Sequence, residues 1–209
     1  MDVSLLIKFG KKEHLEPLLK EGLIYMRNID YFRQYEAQQP KHLRGDRYEG
    51  YESISQNQTL FFPDTRSWIE NLTIWGTNHT FKGYIYCLYA LFPSQSLNTI
   101  DNRMADFGEY ALIIQNPNEF INRIKKYGEE NNLFPNWDKV RYYDESKKNG
   151  LLTPFMKRSL YSYQSEARIY IHSKTPKEYF TFKLGSLEDI AYIVESSTLF
   201  NPLKDDANG

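Results

Sequence analysis

The sequence predicts an α+β domain in which strands dominate. Three observations carry that reading. Short β-rich apolar runs recur along the chain, only two stretches show a clear helical apolar face, and no repeat, low-complexity segment or linker interrupts them. At 209 residues the chain is expected to form one domain over 1–201, with a loose tail at 202–209.

The elements follow in order. Residues 3–9, VSLLIKF, read as a strand stopped by Gly10. KKEHLEPLLKEG then sets Leu15, Leu18 and Leu19 on one helical face, with Gly22 suited to the position just past the helix end. LIYMRNIDYF reads as a second strand leading into a polar turn, and residues 33–52 as a charged, irregular loop. Nothing is placed firmly in 53–80. GYIYCLYALF, 83–92, is expected to be a central strand and YALIIQ, 110–115, another. Asn116, Pro117 and Glu119 form a helix-start signal, and Phe120, Ile121, Ile124 and Tyr127 continue as an apolar face ending at Gly128. Residues 140–144, 167–171 and 179–184 read as further strands, and Ser186–Asp189 as the cap of a short last helix.

Composition narrows the function classes. A net charge of −1 does not advertise a polyanion partner for the molecule as a whole, although a local basic groove is compatible with it. The single cysteine, Cys87, excludes a disulfide framework and suits a reduced, cytoplasmic setting. No apolar run approaches the roughly 20 residues that span a bilayer, so no membrane partner is expected. The four histidines are scattered without ligand spacing, so no metal is expected. There is no GxGxxG, no phosphate-binding P-loop and no GxSxG elbow. The outlying quantity is aromatic content, 17 Tyr and 13 Phe.

Two clusters can carry chemistry. In YSYQSEARIYI, 161–171, a strand would line up Gln164, Glu166 and Arg168 on one face. That face is either a solvated ion pair or the floor of a pocket, with Lys157, Arg158, Tyr161 and Tyr163 leading into it. A carboxylate beside an amide and aromatics suits stabilisation of a cationic, oxocarbenium-like sugar centre. In LRGDRYEGYE, 43–52, Arg44 and Arg47 flank Asp46 at a glycine turn. This is either a solvated turn held by an Arg–Asp pair or a loop in which one arginine grips a pyrophosphate in bidentate fashion.

Gln164-x-Glu166 at the start of a late strand resembles the Gln/Glu-x-Glu element of ADP-ribosyltransferases. The N-terminal order of strand, helix and aromatic-bearing strand is similar to theirs, with Lys8 standing where that family carries His or Arg. The chain also resembles bacterial proteins of this broad group, many linked to phage defence, through KFG near residue 8, IYM at 24–26, RGDRYEG at 44–50 and the YSYQSEARI strand. The resemblance covers most of 5–185. It implies a split mixed sheet with a few flanking helices, and NAD as substrate without a metal. Glu166 would be catalytic, supporting the oxocarbenium-like state, with Gln164 positioning the acceptor. Lys8, Phe9, Tyr25, Tyr31, Tyr161 and Tyr163 would line the nicotinamide and ribose pocket, with Arg44 or Arg47 on the phosphates. It further implies transfer of ADP-ribose to a nucleic-acid base of RNA or DNA, or to protein, by a toxin or defence effector with an antitoxin partner. A non-catalytic nucleotide- or protein-binding module on the same fold is the alternative.

Overall fold

The computed structural model describes residues 3–38, 45–46, 48–76 and 81–200. Along the chain it runs β1 (Leu5–Gly10), α1 (Lys12–Glu21), β2 (Leu23–Asn28), α2 (Ile29–Gln38), β3 (Ser53–Phe62), β4 (Ser67–Gly76), β5 (Gly83–Leu91) and β6 (Tyr110–Ile114). Then come α3 (Pro117–Glu130), β7 (Asn136–Lys139), β8 (Arg141–Tyr143), β9 (Gly150–Leu151), β10 (Met156–Arg158), β11 (Glu166–His172), β12 (Tyr179–Lys183), β13 (Ala191–Glu195) and α4 (Ser197–Phe200). The architecture is mixed α+β with antiparallel sheets and few helices.

Eight strands form the main sheet in the order β12-β2-β5-β1-β6-β13, with β11 on β5 and β7 on β11. Every pairing in it is antiparallel, which corrects the expectation of a mixed sheet. The parallel pairing among the described strands is β8 with β10, outside this sheet. β5 is the hub, as its unbroken apolar run implies. β11 follows it from Gly83 to Tyr89. β2 and β1 also pair with it, β2 at Tyr84 and Ile85 and β1 from Tyr89 to Leu91. Cys87 falls between these two partners, so the sheet forks there. The Lys8 ammonium enters the fork and donates to the Cys87 carbonyl at 2.8 Å, satisfying a backbone acceptor at the gap.

Alternation gives the two faces of the sheet. Leu6, Ile24, Met26, Tyr86, Leu88, Ala167 and Ile169 point to one, where Leu15 and Leu18 of α1 and Phe120, Ile121 and Ile124 of α3 close the larger core. The other face carries two smaller apolar clusters. Ile7, Phe9, Tyr89 and Leu91 pack with Met104, and Ile29, Ile85 and Tyr170 lie further along β5. Between them sit Glu166 and Arg168, opposite Tyr89 and Cys87. A second layer made by β8, β10 and the segment before β3 covers this polar strip.

The helix signals hold where sequence and packing agree. Gly22 ends α1 at φ 63°, and the Asn116 side chain accepts from the Glu119 amide ahead of Pro117. α3 runs past Gly128 to Glu130, and Gly128 is where the helix touches Pro135, a Cβ there falling 2.6 Å from the ring. Three further expectations are corrected, and the stretch left open at 53–80 is filled in part. Residues 29–38 form a helix, started by the Asn28 side chain accepting from the Tyr31 amide at 2.8 Å. Residues 53–76 form the long β3–β4 hairpin. Ser186 bonds the Glu188 amide in a turn, and the last helix begins instead at Ser197. Gln164 is not on a strand: residues 159–164 form a 3-10 turn, Ser165 takes φ 38°, and β11 starts at Glu166. The tail at 202–209 lies outside the described residues. No helix among the described residues is long and apolar enough to cross a membrane.

Candidate functional site

The polar strip is a closed network of charge. Among the described residues six acidic or basic side chains, Asp46, Glu49, Glu166, Lys157, Arg158 and Arg168, are buried, and their formal charges cancel. Burying so many charges is costly unless each is paired and hydrogen-bonded, and each is. Arg168, 1% exposed, donates Nε to Glu166 Oε2 at 2.7 Å. Its two terminal nitrogens take both oxygens of Glu49 at 2.7 and 2.9 Å, and Nη1 also reaches the Pro154 carbonyl. The Lys157 ammonium donates to Glu166 Oε1 at 2.6 Å and to Gln164 Oε1 at 2.7 Å, and lies 4.5 Å from the Tyr161 ring centre. Arg158 donates to Asp46 at 3.0 Å and to the Tyr161 hydroxyl at 3.2 Å, with its guanidinium over Tyr48. Tyr48 in turn stacks on Trp75 of β4.

The local folding of the chain makes this convergence possible. The 3-10 turn and the left-handed Ser165 bring Gln164 back beside Glu166, which straight strand geometry would have separated by two residues on one face. The Gln164 amide nitrogen donates to the Tyr163 hydroxyl at 3.0 Å, which aims the amide oxygen at Lys157. The Tyr142 hydroxyl accepts from the Glu166 amide at 2.8 Å and fixes the strand start.

Burial works against charge on Glu166, but Arg168 and Lys157 outweigh it and hold the carboxyl well below the usual carboxylate range. Arg168 is held protonated against its own burial by Glu166 and Glu49. Cys87, on the same face, has its thiol pushed up to about 12, chiefly by burial and then by the Glu166 charge. The site therefore offers a permanent negative charge and an amide oxygen converging on one positive centre, under aromatic cover. Glu166 is thus not a carboxylate poised to take up protons at neutral pH, whereas burial pushes Glu49, on the far side of Arg168, above its ordinary value against the pull of Arg168 and Lys157.

The structure brings together Glu166, Gln164, Tyr161 and Tyr163. Tyr163 is half-buried, with the Arg103 guanidinium 3.8 Å from its ring centre. Lys8 and Phe9 are not in this cluster. Lys8 points to the opposite face of the sheet, 4.3 Å from the Tyr86 ring centre. Phe9 is core, edge-on to Tyr89 and stacked on Phe200. Tyr25 and Tyr31 share a neighbour, Arg27, at 5.2 and 4.6 Å from their ring centres, away from the network. Arg44 and Arg47 lie outside the described residues. Lys157 and Arg158, expected only to lead into the pocket, and Asp46, expected only to pair with an arginine of its own turn, belong to the network itself, as does Glu49, to which sequence reasoning gave no role. Their signal was the match of charge between RGDRYEG and the MKR and EAR segments, which becomes visible only once 112 and 119 residues of chain are folded back. Among the described residues no group of three or more His, Cys, Asp or Glu could hold a metal ion.

No family model matches the chain, and no curated protein or solved structure matches it.

Proposed function

We propose that the chain is an NAD-dependent ADP-ribosyltransferase on a split-sheet fold of that type, with a nucleic-acid base as acceptor. The observation that carries this reading is the convergence of Glu166 Oε1 and Gln164 Oε1 on one positive centre, now the Lys157 ammonium. The sheet also forks at Cys87, on the edge of β5 opposite the strand that bears Glu166.

In the reaction, the bond from ribosyl C1′ to the nicotinamide nitrogen breaks and its electron pair leaves with neutral nicotinamide. The positive charge that develops at C1′ is what Glu166 stabilises. A carboxylate held ionised by its neighbours is a poor proton acceptor, but its charge is preorganised and acts in a dry, low-dielectric site. Gln164 positions the acceptor, whose lone pair forms the new bond to C1′ while its proton passes to solvent. Lys157 releases both oxygens as the ribose enters, and the NAD pyrophosphate offers its ammonium a new partner. Lys8 serves as the cation that holds the fork.

The test is incubation of the protein with NAD labelled in its adenosine half, together with RNA, DNA and protein acceptors, while nicotinamide release is followed. Label should enter nucleic acid, and Glu166→Gln should slow release about 10²- to 10³-fold. Turnover at the native rate in Glu166→Gln sinks the assignment. Growth arrest on expression, relieved by a co-expressed neighbour, tests the toxin and antitoxin roles that the resemblance implies.

One observation favours a second reading. Glu166 is 6% exposed and both its oxygens are engaged, as in a structural clasp. On that reading the chain is a non-catalytic binding module, and calorimetry would detect NAD binding without nicotinamide release.

A further inference from the structure

The tyrosines that sit away from the charge network form a surface of their own. Tyr25 of β2 and Tyr179 of β12 stack with ring centres 5.1 Å apart and planes at 21°. The Arg27 guanidinium lies 5.2 Å from the Tyr25 centre and 4.6 Å from the Tyr31 centre, and Tyr31 contacts Tyr35 at 5.7 Å. Tyr179, Tyr25, Arg27 and Tyr31 therefore make one continuous column. Its register is fixed by the pairing of Tyr179 with Arg27 and of Thr181 with Tyr25. Tyr25 and Tyr179 are 41% and 50% exposed, although burial of such rings is the ordinary outcome in a sheet. Among the described residues, Tyr25 is the one aromatic ring stacked on Tyr179, so the column ends in a ring that a further flat group can extend.

Charge at this end of the sheet is lopsided. Exposed Lys174 and Lys177 lie in the segment that leads into Tyr179, and exposed Lys82 is fastened beside them, its carbonyl accepting from the Ser173 amide. Lys177 is held next to β2 by the bond from the Asn28 side chain to its carbonyl. With Arg27 these are four cations, set against the carboxylate of Glu178, which Arg27 meets.

We infer that this column with its lysine rim binds single-stranded nucleic acid, a base stacking on Tyr179 and the flanking phosphates meeting Lys174, Lys177 and Lys82. Every base has a π-face, so such stacking tolerates sequence, and the lysines supply the salt-dependent part of the affinity. A paired duplex cannot present an unstacked base to the ring and is the disfavoured form. A protein partner with an acidic surface would use the lysines but gain nothing from the exposed ring. As a binding surface the column stands by itself; only its service as the acceptor site rests on the transferase reading.

The test uses the full chain without NAD. Fluorescence anisotropy follows a labelled 12-nucleotide uridine RNA, the matching thymidine DNA and a duplex of the same length across a salt series. The single strands should bind more tightly than the duplex. Tyr179→Ala should weaken single-strand binding about tenfold while Tyr179→Phe retains it, because the ring and not the hydroxyl is used. Lys174→Glu with Lys177→Glu should flatten the logarithmic salt slope by about 1.4, roughly 0.7 for each phosphate that is no longer neutralised. Unfolding curves of the Tyr179 variants should superimpose on the parent. Duplex binding equal to single-strand binding, or a Tyr179→Ala protein that binds like the parent, overturns the inference. Neither result bears on nicotinamide release, and a protein that never cleaves NAD can still pass every step of this test.

Discussion

Glu49 and Arg168 meet across 119 residues of chain in a bidentate pair, with nitrogen–oxygen distances of 2.7 and 2.9 Å, both side chains buried. This pair fastens the segment before β3 to the middle of β11, and so ties the second layer to the main sheet. Its value lies in completeness: each carboxylate oxygen and each terminal guanidinium nitrogen is used. Arg168→Met should therefore cost about 3–5 kcal/mol, because it strands Glu49 and half of Glu166 in a dry interior. Arg168→Lys should recover little, since an ammonium cannot reproduce the planar fork. Urea denaturation measures both. A double-mutant cycle with Glu49→Gln should give a coupling far above that of the exposed Glu16–Lys20 pair, for which about 0.5 kcal/mol is the expectation.

The Glu166 carboxyl makes stability depend on acid in a defined direction. Its folded value is depressed below the ordinary 4.5, with burial opposing and Arg168 and Lys157 prevailing. In acid the unfolded chain therefore binds the proton first. The stabilisation is complete above about pH 4.5 and is lost progressively as pH falls below it. Glu166→Gln should unfold more readily at neutral pH and show a flatter pH dependence below 4.5. Thermal melts at pH 7, 4 and 3 compare the two proteins, and parallel curves would remove Glu166 from the acid response.

How much of this was legible in the sequence follows from where each residue finds its partners. β1, α1, β5, β6 and α3 were readable because a neighbouring layer imposes a period on their side chains, and their stops, Gly22 and Asn116, act within a few residues. The β3–β4 hairpin was not readable, because much of both its faces meets water and no alternation is selected. α2 was hidden by the apolar run that continues from β2 into Ile29, and its one local signal was Asn28. In the site, Gln164 and Glu166 could be singled out by their odd polarity in an apolar context. That Lys157 rather than solvent faces them depends on the turn at Ser165, a conformation no local pattern announces. Lys8 shows the opposite failure: its place in the chain order is as expected, yet strand parity sends it to the other face.

The β3–β4 hairpin also gives a prediction about surface energetics. Phe61 pairs with Trp68 near its tip, rings 4.7 Å apart, and Trp68 is 63% exposed. Trp68→Ser should change folding stability by no more than about 0.5 kcal/mol, as for an ordinary surface substitution. Ile54→Ala, at the buried base of the same strand, should cost about 2–5 kcal/mol. Equilibrium unfolding of the two variants separates tip from base, and a large loss in Trp68→Ser would mean that the tip packs on something.

Cys87 should be chemically silent in the folded protein. With its thiol pushed up to about 12 by burial and by Glu166, almost none is thiolate at neutral pH. Reaction with an aromatic disulfide reagent should proceed only as fast as the protein opens, and should become immediate in denaturant. Fast labelling of the native protein would show that the fork beside Cys87 is open to solvent.

The turn after α1 tests how tightly the end of the main sheet is built. Gly22 has φ 63°, and a Cβ there would lie 2.2 Å from the Gly185 carbonyl oxygen and 2.9 Å from Leu184 Cβ. The Gly22 carbonyl meanwhile accepts from the Leu184 amide, so the turn cannot move aside without breaking that bond. Gly150 provides the comparison: its φ is also positive, at 92°, but no atom lies within 4 Å of an added Cβ. Gly150→Ala should cost only the backbone strain of a left-handed residue, about 1–2 kcal/mol. Gly22→Ala carries the same strain plus the collision, and should be the more destabilising by at least about 1 kcal/mol. Chemical denaturation of the two proteins side by side decides it, and equal midpoints would mean that α1 and the segment before β13 are less closely packed than this turn indicates.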